Sequence, residues 1–148
     1  MVLSCKYYDI EKLEKNEVLK KELEAFKQEH IEEYPLFENC KDAPRLSYRA
    51  CFENTVVESI QEYLESQDIL VDHIVEDTLW IPIRVTTEGR VRLAPYQAPE
   101  AVTEQIPELN IYLEESLQNL PSVQPAHVKG VQINSEYKLP VAIRINNP

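Results

Sequence analysis

Leu79-Trp80-Ile81-Pro82-Ile83-Arg84-Val85-Thr86-Thr87-Glu88-Gly89-Arg90-Val91-Arg92-Leu93 decides the fold class of this chain. Leu79, Ile81, Ile83 and Val85 alternate with Trp80, Pro82, Arg84 and Thr86. Successive strand residues point to opposite faces, so the pattern predicts a strand with one apolar face. Glu88-Gly89 supplies a turn, and Val91 and Leu93 then resume the alternation, which completes a β-hairpin. Pro82 cannot donate to a ladder, so its nitrogen must face an edge or a bulge.

Working outward, the segment from Val131 to Ile145 alternates again. Tyr137, Leu139, Val141, Ile143 and Ile145 fall on one face. Between the two alternating regions, Leu109, Tyr112, Leu113, Leu117 and Leu120 recur at helical spacing, with Pro107 at the opening and Pro121 at the close. Residues 94–106, with Pro95 and Pro99, read as irregular. Upstream, Cys51, Phe52, Val56, Ile60, Tyr63 and Leu64 give a helix from Tyr48 to about Ser66. Residues 9–33 read as an acidic helix with a thin stripe of Leu13, Leu19, Leu23, Phe26 and Ile31, which Tyr34-Pro35 ends. The expected class is α+β: an antiparallel sheet of about three strands with two helices on one face, plus an N-terminal helical extension. A tether and acidic helix over 1–33 would precede a domain over 34–148.

The 148 residues include 26 Asp+Glu and 15 Lys+Arg, a net charge of −11. That balance argues against nucleic acid, which is held by clustered cations, and against a polybasic membrane-surface protein. Two glycines leave no material for a Gly-rich phosphate loop. No nucleophile elbow or metal signature is present, and His30, His73 and His127 are scattered. The expectation is therefore a protein without enzymatic activity, catalytic residues, metal or cofactor. No apolar run reaches the roughly 18 residues of a membrane helix. Val2-Leu3-Ser4-Cys5 resembles the end of a bacterial lipoprotein signal, which makes Cys5 a candidate for acylation. Cys40 and Cys51 lie eleven positions apart around Pro44. Spacing alone fits a disulfide and two buried thiols equally well.

The ordered set of motifs from Leu79 to Ile145 resembles the C-terminal domain of TonB-type energy transducers. The hairpin with its acidic-Gly turn is followed by Pro107-Glu108-Leu109-Asn110, Leu120-Pro121, Pro125-Ala126 and Gly130, and then by Tyr137-Lys138-Leu139-Pro140-Val141-Ala142-Ile143-Arg144-Ile145. Tyr34-Pro35-Leu36-Phe37-Glu38-Asn39-Cys40 and Ala50-Cys51-Phe52 resemble the lead-in of Bacteroidetes-type members, so the likeness covers roughly 34–145. It implies a Cys40–Cys51 disulfide and an envelope location in the periplasm. Tethering would come through a membrane segment outside this chain or through lipid at Cys5. The resemblance also implies that the final strand receives the TonB box of an outer-membrane transporter by strand addition, with an inner-membrane motor complex as the energy source. The residues expected at that edge are Tyr137, Leu139, Val141, Ile143 and Arg144. Leu139, Val141 and Ile143 also read as core, so recognition would run through their backbone. Two other expectations stand beside this one: a lipid-anchored envelope scaffold without energy coupling, and a homodimer swapped through the final strand.

Overall fold

A computed structural model describes residues 19–23 and 25–146. The chain divides into two compact units between Ile31 and Glu32. In the first, residues 19–23 and 25–29 are helical. The His30 N–H returns to the Phe26 carbonyl at 3.1 Å, and the His30 ring stacks on Phe26 with centroids 4.0 Å apart. Residues 9–18 of the expected helix, and Cys5, lie outside the described residues. The helix also ends earlier than position 33. Glu32 and Glu33 donate their N–H groups to the His127 carbonyl at 3.0 and 3.3 Å, and His127 N–H returns to Glu33 O at 3.0 Å. Backbone groups committed to this bridge are not available to continue a helix.

The second unit is mixed α and β around one small antiparallel sheet, as the alternation implied. Its elements run β1 (Leu36–Phe37), α1 (Tyr48–Ser66), β2 (Val75–Val85), β3 (Val91–Leu93), α2 (Glu100–Gln105), α3 (Leu109–Gln118), β4 (Val123–Gln124), β5 (His127–Val128), β6 (Val131–Gln132) and β7 (Ser135–Ile145). The three-stranded sheet has the order β3-β2-β7. β2 and β7 pair over their whole length, from Val75↔Ile145 to Val85↔Ser135. β3 pairs only with Ile83, Arg84 and Val85.

One face of the sheet is the core. Leu79, Ile81, Ile83 and Val85 of β2, with Leu139, Val141 and Ile143 of β7, are all buried. α1 brings Phe52, Val56, Ile60 and Leu64, a strict four-residue spacing, into the same cluster, and α3 brings Leu109, Leu113 and Leu117. The two helices meet where Ser59 Oγ donates to the Ser116 carbonyl at 3.4 Å and where the Tyr63 hydroxyl bonds the Glu115 carboxylate.

Three local expectations are revised. The stretch read as irregular contains α2, which starts after Pro99 and buries Val102; proline fixes a φ compatible with helix entry. α3 opens at Leu109, two residues past Pro107, and closes at Gln118 before Leu120-Pro121. The last alternating segment is broken: β6 pairs with β5 across Lys129 and Gly130, both at positive φ, and Ile133-Asn134 separates it from β7. Asn134 explains the break, since its Oδ1 accepts the Thr87 N–H at 2.9 Å and fastens this corner to the hairpin. β1 and β4, too short to read from sequence, form a further two-stranded ribbon.

Candidate docking edge

β7 is an edge strand of the sheet, and among the described residues no strand pairs with its outer side. Which backbone groups face outward follows from parity. In an antiparallel pair, alternate residues exchange hydrogen bonds with the partner while the others turn away. Pro82 O accepts from Ala94 N–H on the β3 side at 3.0 Å, and Ala142 O accepts the Gln61 amide of α1 at 3.2 Å. Even-numbered residues of β7 therefore direct their backbone outward, and odd-numbered residues bond to β2.

This parity separates two roles among the expected site residues. Leu139, Val141 and Ile143 are buried, point into the core and bond to β2. Lys138, Ala142 and Arg144 carry the outward donors and have exposed side chains. The sequence reading placed Arg144 at the edge and missed Lys138 and Ala142. Alternation contained that signal, because residues whose side chains face solvent on an edge strand of this register are also those with outward backbone. Pro140 does not mark a bulge: it pairs in register with Trp80, and its missing N–H falls on the outer side. The edge thus loses one donor without losing register.

Tyr137 anchors the start of β7. Its ring packs edge-on against Phe52 at 5.2 Å and tilted against Tyr34 at 6.2 Å, and Arg49 lies 5.2 Å over the Tyr34 ring. Burial pushes the Tyr137 hydroxyl up to about 12, and the nearby Ser135 hydroxyl offsets part of that shift. Both hydroxyls are buried without a hydrogen-bond partner of good geometry. At the other end of the strand, a shallow groove lies between residues 142–145 and Gln61, Leu64 and Glu65 of α1.

Cys40 and Cys51 form a disulfide, with Cα atoms 5.9 Å apart. It ties the 3-10 turn Glu38–Cys40 to the first turn of α1, and Cys40 is fully buried. Phe37 and Phe52 stack beside it at 5.7 Å. The bridge therefore holds the segment that carries β1 against the helix packed under β7.

The solvent face of the sheet carries Trp80, 60% exposed, directly opposite Pro140. Arg84 and Arg92 are cross-strand neighbours on the same face, and Arg84 Nε lies 3.5 Å from Glu136. Among the described residues no cluster of His, Cys, Asp and Glu suits a metal ion, and no helix is long and apolar enough to cross a membrane. His127 sits 3.8 Å from Glu33, in the bridge that opens the second unit. Comparison with known protein families, with characterised proteins and with solved structures finds no match.

Proposed function

We propose that the second unit is a strand-docking domain resembling the C-terminal domain of TonB-type transducers, and that it acts by binding rather than by catalysis. The observation that carries this reading is β7 itself: eleven residues long, at the sheet edge, and without a partner strand on its outer side among the described residues. Unpaired edge groups are a template for another chain, whose backbone supplies affinity while side chains set register. The buried Leu139, Val141 and Ile143 hold that edge in place, and Lys138, Ala142 and Arg144 present it.

The occupant proposed is the TonB box of an outer-membrane transporter, in the periplasm, with force supplied by an inner-membrane motor complex. The Cys40–Cys51 disulfide supports an oxidising compartment, where such bridges persist. A strand pair loaded along its length must break several hydrogen bonds together, which suits a clamp under tension. Because Gln61 already bonds Ala142 O, the incoming strand either displaces that amide or docks mainly toward Lys138. Titrating isotope-labelled protein with a TonB-box peptide should shift amide resonances over 137–145. Shifts confined to other elements would discard the site.

A further inference from the structure

The opposite edge of the sheet carries a second groove. β3 is three residues long, and its outer side faces α3 across an open groove of about 500 Å³. Residues 89–93 form one wall, and Glu114, Leu117 and Gln118 form the other. Parity again gives the backbone directions. Arg90 O accepts Thr86 N–H on the β2 side, while Gly89 O, one residue earlier, accepts Val123 N–H at 3.1 Å on the outer side. Odd-numbered residues therefore face outward. The chain thus makes the first outer rung itself, at Gly89, and leaves the next two, Val91 and Leu93, without a backbone partner among the described residues.

The charge of this corner selects what can continue the row. Arg84 and Arg92 stand directly opposite one another, an arrangement that is unfavourable between like charges. Arg90 is exposed two residues before Arg92. Only Arg84 has an ion-pair partner there, Glu136; Arg90 and Arg92 have none among the described residues. Against them the groove lining sets one carboxylate, Glu114, so the lining stays net positive in a chain of net charge −11. A second copy of the same corner would set arginine against arginine, so self-association here is disfavoured. On the inner side the groove meets the half-buried Leu93 and Leu120, with Leu117 buried beneath them in the core.

We infer that the β3–α3 groove receives an extended acidic segment of a partner protein, added as a strand beside Val91 and Leu93. Its carboxylates lie over Arg90 and Arg92, and its alternate apolar residues face Leu93 and Leu120. This site is separate from β7 and does not depend on the reading of that edge.

The test uses the full chain, isotope-labelled, and a capped peptide of alternating Glu and Val, with a Lys-Val peptide as control. Amide shifts at residues 89–93 and 117–122, seen with the acidic peptide and absent with the basic one, support the proposal. Arg90→Glu/Arg92→Glu alters only exposed side chains and should weaken binding roughly tenfold or more. Leu93→Pro removes an outward N–H, and should abolish binding while a melting curve reports whether the sheet persists. No shift at this edge, equal shifts with both peptides, or unchanged affinity in the arginine variant overturns the proposal. Shifts only along β7 would likewise overturn it, without touching the reading of β7.

Discussion

Loss of the Cys40–Cys51 bridge should lower stability by roughly 3 kcal/mol, because opening the loop between cysteines 11 positions apart restores chain entropy to the unfolded state. Packing adds to that figure, since Cys40 is fully buried beside the stacked Phe37 and Phe52. The clean perturbation is Cys40→Ala/Cys51→Ala, which avoids burying a polar hydroxyl. At this chain length the loss corresponds to a melting temperature lower by roughly 10 °C. The two single variants should each cost about as much as the double, because either one removes the whole bridge. Circular dichroism melts under oxidising conditions measure the shift, and intact mass should rise by two hydrogens on reduction. A mass unchanged by reductant, or a double variant that melts with the parent, would refute the reasoning. It would also remove the support for an oxidising compartment.

Three further outcomes follow from the packing. Val141→Asp places a carboxylate where the side chain is fully buried between sheet and α1, and should cost more than about 4 kcal/mol in a denaturant titration. Gly89→Ala should destabilise by roughly 2 kcal/mol in the same assay, because φ is +80° and an added methyl collides with the Val123 carbonyl oxygen. Tyr137, raised from about 10 to about 12 by burial, favours the folded state at pH below 10. That contribution declines as pH rises from about 10 to about 12, so Tyr137→Phe should flatten the alkaline fall in melting temperature, followed by the tyrosinate absorbance.

Much of the fold is legible in the sequence because period-two and four-residue spacings each name a buried face. The hairpin around Gly89, the face shared by Leu139, Val141 and Ile143, and the helix carrying Phe52, Val56, Ile60 and Leu64 all follow directly. The parts that escaped have physical reasons. α2 is six residues long and flanked by prolines, too short for a helical period to show. The break at Ile133-Asn134 depends on a side chain reaching Thr87, forty-seven residues away, and alternation through β6 and β7 hides it. Pro140 cannot donate a backbone hydrogen bond; only the sheet order shows that its nitrogen faces outward, where it interrupts no ladder.

Of the proposed docking edge, the sheet order shows one thing: the final strand lies at the edge of the sheet. The family resemblance pointed to the final strand as the docking edge, and the residues expected there are of both parities. Only the register with β2 separates those that hold the strand, such as Leu139 and Val141, from those that offer it, such as Lys138 and Arg144. The second groove was not legible, because it depends on β3 ending at Leu93 while α3 lies across from it.

Hydrogen exchange along β7 tests the central claim most directly. In the free protein the outward N–H groups of Lys138 and Arg144 should exchange quickly, while those of Leu139, Val141 and Ile143, bonded to β2, stay protected. Saturating TonB-box peptide should slow the outward set and leave the inward set unchanged. Outward amides that are already protected without peptide, or that keep exchanging at the free rate when peptide is bound, would contradict strand addition at this edge.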